Sequence, residues 1–190
     1  CDSRDVSPGS LFVAIPGPNA DGADFIGDAL KKGAGVIIQS SPVKKASAGN
    51  GCVLKVPDTK VVWRDVVERF YGNPSQKVRT IGITGTNGKT TISYLLESIL
   101  HQAAKRCGVI GTINHRLGDK VIMAKNTTPG LLDNQRYLAD LQQENIGYCA
   151  MEVSSHALEQ GRVDLIDFTA AIFTNLTGDH LDYHKDMESY

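Results

Sequence analysis

The sequence predicts an α/β fold in two parts: a small N-terminal α/β domain and a second domain built on a mostly parallel sheet. Three observations predict it. Short apolar runs of strand length alternate with segments of helical periodicity. The cluster Gly72-Asn73-Pro74-Ser75 breaks the chain and divides it into 1–76 and 77–190. A glycine-rich loop, Gly82 to Thr91, sits where a strand hands over to a helix.

The elements follow in order. Leu11 to Ile15 reads as a strand closed by the turn Pro16-Gly17-Pro18. Phe25, Ile26, Ala29 and Leu30 recur at helical spacing before a stop at Gly33. Gly35 to Gln39 and Cys52 to Val56 read as strands. Asp58-Thr59 can cap a helix whose buried stripe is Val62, Val66 and Phe70. Beyond the break, Val78 to Thr84 is a strand. Thr90 to Arg106 is a helix with Ile92, Leu95, Leu96, Ile99, Leu100 and Ala103 on one side, ending at Gly108. Val109 to Ile113 is the next strand. Thr128-Pro129 opens a helix, Thr as cap and Pro in the first turn, with Leu131, Leu138 and Leu141 inward. Gly147 to Val153 and Ala170 to Leu176 are further strands. Strands alternating with helices imply parallel pairing with helices on both faces.

Composition excludes several classes. The 190 residues are 41% hydrophobic and 22% charged, enough to bury a core. A formal net charge of -1 gives no reason to expect nucleic acid or an anionic membrane as partner. No apolar run approaches the ~20 residues that span a bilayer, and no secretory signal is present. The four cysteines, Cys1, Cys52, Cys107 and Cys149, form no Cys-x-x-Cys pair, which argues against zinc and redox motifs. Cys52 and Cys149 read as reduced core thiols of a cytoplasmic protein. His101 and His115 read as surface residues. The start at Cys1 and the stop at Tyr190 suggest a piece of a longer protein.

The chemistry concentrates at strand ends. In Gly82-Ile-Thr-Gly85-Thr-Asn-Gly88-Lys89-Thr90-Thr91, glycines let backbone N–H groups approach phosphate oxygens, and the following helix offers its positive end. Lys89 suits the β- and γ-phosphates of ATP, and the Thr90 hydroxyl suits Mg²⁺. Ile83 stands where the general phosphate-loop pattern has its first glycine; Gly85 takes that part instead. The bland alternative is a glycine-rich turn with a solvated lysine. Glu152, closing an apolar strand in Met151-Glu-Val-Ser-Ser-His156, lies where parallel sheets bind ligands and can hold Mg²⁺; a solvated glutamate is its alternative. Thr174 to His184 crowds titratable groups at another strand end, with His180 as a metal or phosphate ligand. Asn126-Thr127-Thr128-Pro129 is either a helix cap or a grip on substrate, and spacing leaves both open.

These residues resemble a known family. Thr84-Gly-Thr-Asn-Gly-Lys-Thr-Thr91 resembles the loop of the Mur ligases, which build the peptide stem of peptidoglycan. Asn126-Thr-Thr-Pro129, Glu152-Val-Ser-Ser-His-Ala-Leu158, Gln160-Gly-Arg162-Val163, Phe173-Thr-Asn-Leu176 and Asp179-His-Leu-Asp-Tyr-His184 resemble the branch that adds the third residue of that stem. Asp2-Ser3-Arg4, Pro8-Gly9, Phe12-Val-Ala14 and Asp21-Gly22 resemble its UDP-binding N-terminal domain.

The resemblance implies ATP-driven activation of the D-glutamate carboxylate of UDP-N-acetylmuramoyl-L-alanyl-D-glutamate. The amine of an amino acid, meso-diaminopimelate or L-lysine, then attacks the acyl phosphate. It implies ATP contacts at Gly85, Thr86, Asn87, Gly88, Lys89, Thr90 and Thr91, and metal ligands at Thr90, Glu152 and His180. Ser3, Pro18, Asn19 and Ala20 would meet the UDP end. Asn126, Thr127, Thr128, Ser154, Gln160 and Arg162 would hold the muramoyl-dipeptide end, the forked Arg162 suiting a carboxylate or phosphate. Lys89, Glu152 and His180 would carry the catalysis, in a cytoplasmic monomer. Some relatives have His where Pro18 stands. The family also carries a carbamylated metal-binding lysine and an amino-acid-selecting C-terminal domain, both beyond Tyr190. The second domain is therefore expected to be truncated and the 190-residue chain inactive alone. Folylpolyglutamate synthetases share the loop style but usually follow it with Gly-Ser rather than Thr90-Thr91. A non-catalytic module binding UDP-sugar or nucleotide, and a phosphate-loop switch protein, are the readings from other classes.

Overall fold

The computed structural model describes residues 2–17, 20–40 and 51–190. The chain separates into two compact units, Cys1–Val66 and Val67–Tyr190.

The first unit is built on a three-stranded parallel sheet in the order β1 (Leu11–Val13), β2 (Val36–Gln39), β3 (Cys52–Lys55). A 3-10 turn over Gly22–Phe25 runs into α1 (Ile26–Lys31). The predicted period places Ile26, Ala29 and Leu30 inward, where they pack with Phe12, Ala14 and Ile37. Cys52 is exposed on the edge strand rather than buried in a core. Helix α2 (Thr59–Tyr71) starts as expected: Asp58 Oδ1 accepts the Lys60 and Val61 N–H groups at 2.7 and 3.4 Å. Its expected stripe is turned. Val67 is buried, Val62 and Val66 are half-buried, and Phe70 is 79% exposed. The division between units falls inside this helix.

The second unit carries a six-stranded sheet in the order β7-β6-β5-β8-β4-β9. Its strands are β4 (Arg79–Thr84), β5 (Cys107–Ile110), β6 (Asn114–Leu117), β7 (Lys120–Met123), β8 (Tyr148–Glu152) and β9 (Phe168–Phe173). Strands β5, β8, β4 and β9 are parallel. The β6–β7 pair is an antiparallel hairpin absent from the sequence expectation. Its signal is the two-residue turn Gly118-Asp119 between the paired residues Leu117 and Lys120.

Four helices complete the unit: α3 (Lys89–Gln102), α4 (Leu131–Gln143), α5 (Ser155–Glu159) and α6 (Leu181–His184). Helix α3 ends at Gln102 rather than Arg106, because Ala104 turns left-handed (φ 54°). Its buried face centres on Ser93, so Leu95 and Ile99, expected inward, are exposed. Helix α4 is capped by Gly130, not by Thr128, whose hydroxyl is engaged elsewhere. Leu138 and Leu141 pack with Ile110, Leu117, Cys149 and Met151 in the core. Burial pushes the Cys149 thiol well up and the Cys107 thiol to about 11, so both stay protonated at neutral pH. No helix among the described residues is long and apolar enough to cross a membrane.

The topology sets the position of the site. The connection from β4 runs through α3 to β5, passing β8; the connection from β8 runs through α5 to β9, passing β4. Adjacent strands thus send their chains in opposite directions, and the crevice between their carboxyl ends is where such sheets bind ligands. Thr84 and Glu152 are the last residues of those two strands.

His115 corrects the sequence reading: it is 3% exposed on β6, with its ring 5.2 Å from that of Tyr137. Burial lowers its pKa below the ordinary 6.5, against a weaker opposing pull from Asp133. The unfolded chain therefore binds the proton first. The contribution of His115 to stability is complete above pH ~6.5 and is lost as pH falls toward the lower folded value. Urea denaturation from pH about 7.5 to 5.5 should show this loss, and His115→Gln should flatten it.

Candidate functional site

Glu152 is the hub of the site. It is 1% exposed, so its carboxylate needs donors close by. The Thr112 N–H donates to Oε1 at 3.1 Å, and the Thr112 hydroxyl to Oε2 at 2.9 Å. The Thr90 hydroxyl donates to Oε2 at 2.9 Å. Thr90 and Glu152, two of the expected metal ligands, are thus hydrogen-bonded to each other between α3 and β8. Gly111 makes room for it, since a Cβ at that position would collide with the carboxylate.

The phosphate loop is shaped by close approach. Gly85 has φ 120°, and a Cβ there would run into the Thr174 side chain and the Asn175 backbone. Asn175 then clamps the loop. Its carbonyl accepts the Thr86 N–H at 2.9 Å, its Oδ1 accepts the Asn87 N–H at 3.1 Å, and its Nδ2 donates to the Asn87 carbonyl at 3.0 Å. The Thr86 hydroxyl accepts the Thr177 N–H at 3.0 Å. Lys89 Nζ donates to the carbonyls of Gly85 and Thr86 at 2.6 and 3.0 Å. Gly88 caps α3 without a side chain, so no side chain claims the first-turn N–H groups. Thr91 is exposed just behind them.

This constellation fits a polyphosphate and Mg²⁺. Uncapped helix N–H groups, a glycine-rich backbone and a lysine are the donors a polyphosphate needs. Thr90 Oγ1 and Glu152 Oε2 are adjacent hard oxygens. Among the described residues no three His, Cys, Asp or Glu side chains close on one point. A small protein share is what Mg²⁺ takes when waters and phosphates supply its other ligands.

A second arm lies beside the first. The Thr128 hydroxyl is buried; it donates to the Glu152 carbonyl at 2.9 Å and accepts the Ser154 N–H at 3.0 Å. The Thr127 and Thr112 hydroxyl oxygens lie 3.1 Å apart; with the Thr112 proton committed to the Glu152 carboxylate, Thr127 is the donor. Ser154 caps α5 through the Ala157 N–H. Arg162 Nη1 donates to the Thr128 carbonyl at 3.0 Å, while its Nε and Nη2 both reach Gln160 Oε1, at 2.9 and 2.5 Å. Asn126 is exposed at the entrance to this arm.

His180 belongs to a cluster of rings at the start of α6. It has φ 54°, its Nδ1 lies 3.7 Å from Asp179, and its ring packs 4.8 Å from that of His156. Burial, His180, His184 and Arg162 together hold the His156 pKa below 6.5. His184 is buried with Nε2 2.8 Å from Ser155 Oγ.

In the first unit, the Ser3 carbonyl accepts from Lys32 Nζ at 2.9 Å and the Ala20 carbonyl accepts the Gly17 N–H at 3.0 Å. The other two UDP-end candidates, Pro18 and Asn19, lie outside the described residues. Sequence reasoning missed Thr112 and assigned no part to Asn175 or Tyr183. Thr112 could have been found as the first hydroxyl beyond a third parallel strand.

A phosphate loop beside a buried carboxylate, at the switch point of a parallel sheet, defines a nucleotide-binding α/β module. The Mur ligase middle domain matches residues 83–190, and the Mur ligase family catalytic domain matches residues 1–71. The chain belongs to the Mur ligase family, whose members are ATP-dependent ligases. It is 47% identical to UDP-N-acetylmuramoyl-L-alanyl-D-glutamate--2,6-diaminopimelate ligase 1 of Clostridium acetobutylicum, over 100% of this chain and 39% of that protein. It is 44% identical to the 2,6-diaminopimelate ligase of Geobacillus thermodenitrificans, over 100% and 38%. A solved structure of a ligase with that activity superposes with a TM-score of 0.76 at 31% identity, over 100% of this chain and 38% of that one. The fold is shared with the MurF ligase of Thermotoga maritima in complex with ADP, with a TM-score of 0.60 at 22% identity over 99% and 39%. The chain spans somewhat over a third of the length of these relatives.

The clamp is testable. Asn175→Ala removes two side-chain hydrogen bonds from the loop, each worth ~1 kcal/mol, so affinity for ADP should fall about tenfold or more. Calorimetric titration of the two proteins with ADP checks it.

Proposed function

We propose that the protein is an amide-forming ligase that uses ATP and Mg²⁺ to add a third amino acid to UDP-N-acetylmuramoyl-L-alanyl-D-glutamate. The observation that carries this reading is the junction at Glu152. Its carboxylate serves the phosphate loop through Thr90, and its carbonyl anchors Thr128 and, through it, the Arg162–Gln160 arm. Nucleotide and acceptor sites therefore share one residue. The relatives' names specify 2,6-diaminopimelate, which favours that amino acid over L-lysine.

Two anions, the triphosphate and the D-glutamate carboxylate, must be brought together. Lys89 and the first-turn N–H groups of α3 neutralise the phosphates as charge shifts. Thr90 and Glu152 would hold Mg²⁺, with His180 as a further ligand, and the ion supplies electrostatic neutralisation of the transferring phosphoryl group. Three of the five N–H groups of Arg162 are used within the protein, leaving one on each Nη for an incoming carboxylate or phosphate. Thr127, Ser154 and Asn126 would line the same approach, and Thr128, itself buried, would hold Arg162 toward it. Residues 1–76, with Ser3, Pro18, Asn19 and Ala20, would hold the UDP end, and residues 77–190 the nucleotide.

A phosphate-release assay on the full-length parent tests the reading. With ATP, Mg²⁺ and UDP-N-acetylmuramoyl-L-alanyl-D-glutamate, release should depend on added diaminopimelate and be weak with lysine. No release with either amino acid would sink the ligase reading and leave a nucleotide- and UDP-sugar-binding module. In the same parent, Lys89→Ala should lower kcat by about a hundredfold or more. Binding of the UDP substrate should change by less than about twofold, because that contact lies on the other arm; equal losses in both would count against the assigned role.

A further inference from the structure

We infer that Tyr183 is a positioning residue for the acceptor substrate: its hydroxyl tethers the Gln160 amide, and so steadies Arg162. The inference rests on the ligase reading and adds a residue to its binding arm.

Arg162 has only N–H donors, and two of its nitrogens converge on Gln160 Oε1, at 2.9 and 2.5 Å. That holds only if the amide is turned with its oxygen toward Arg162. The NH₂ group must then face away and find an acceptor. It meets the Tyr183 hydroxyl oxygen at 2.9 Å. The donor-only guanidinium decides which way the amide faces, since a flip would set NH₂ against it; the Tyr183 hydroxyl, which can accept or donate, holds the outward end in place. Without the hydroxyl that end loses its tether and the amide is freer to swing away from Arg162.

Tyr183 is itself held. The His156 ring lies over it, centroids 4.0 Å apart and planes inclined by 34°. Its helix, α6, is pinned at the next residue by His184 on Ser155. A chain of contacts thus runs from Tyr183 through Gln160 and Arg162 to the Thr128 carbonyl, and from the Thr128 hydroxyl to Glu152. Each link fixes a planar or rotatable group that would otherwise sample two or more orientations. Tyr183 touches the Gln160 amide rather than the Thr90–Glu152 pair, so its effect belongs to acceptor binding and not to phosphoryl transfer.

The experiment uses the full-length parent, with steady-state kinetics in UDP-N-acetylmuramoyl-L-alanyl-D-glutamate and in ATP. Tyr183→Phe keeps the ring on His156 and removes only the hydroxyl; an unchanged melting temperature verifies that. KM for the UDP substrate should rise about five- to tenfold, the effect of one hydrogen bond and the placement it secures. Values of kcat and of KM for ATP should stay within about twofold, as expected when only ground-state binding is lost. In a Gln160→Ala background the same change should add nothing, because the group it tethers is gone. Wild-type KM in Tyr183→Phe, or full multiplication of the two effects in the double variant, overturns the inference while the ligase reading stands. A wild-type parent that ligates neither amino acid removes the ligase reading, and this one with it.

Discussion

A carboxylate cannot be buried without donors, and the candidate site is organised by that requirement at Glu152. Three donors converge on it, from Thr90 at the head of α3 and from Thr112 beyond β5. Those segments come from separate parts of the sequence and share only the carboxyl edge of one sheet. Satisfying the charge therefore fixes the start of α3, the exit of β5 and the end of β8 with respect to one another. Gly111 belongs to the same constraint, because a side chain there would occupy the carboxylate's place. The carbonyl of the same residue sets the second arm through Thr128, so both halves of the site are referred to one rigid strand end.

The parallel part of the fold was legible because strands of such sheets write themselves as apolar runs, as β8 and most of β4 do where they are buried and β9 does although it is largely exposed. The β6–β7 hairpin was not, because its strands mix His115, Arg116 and Lys120 with apolar residues; only the Gly118-Asp119 turn marks it. Helix faces were legible only in part. Spacing places Leu95 and Ile99 on an apolar stripe of α3, but the sheet receives the face centred on Ser93. Periodicity gives the angular position of apolar residues, not which of them a neighbour covers.

The phosphate loop and Glu152 were legible as motifs, since each combines a strand end with residues suited to one chemistry; Gln160 and Arg162 entered only through the family resemblance. The partners were not. Thr128 illustrates why: its place before Pro129 reads as a helix cap, yet its hydroxyl bonds to β8, a segment distant in sequence. Thr112 and Asn175 act through contacts that only the sheet order creates. His115 was misread for the same reason, since its burial comes from Tyr137 on α4 rather than from its own neighbours.

The clamp by Asn175 and Thr177 carries a thermodynamic consequence. Strand β9 is hydrogen-bonded to β4, and such pairing can open through local rather than global unfolding. Because the residues just after β9 hold the phosphate loop closed, each such opening releases the loop as well. Nucleotide affinity and the opening of β9 become two readings of one equilibrium. By linkage, a bound nucleotide must slow amide exchange along β9, although no atom of that strand needs to touch it.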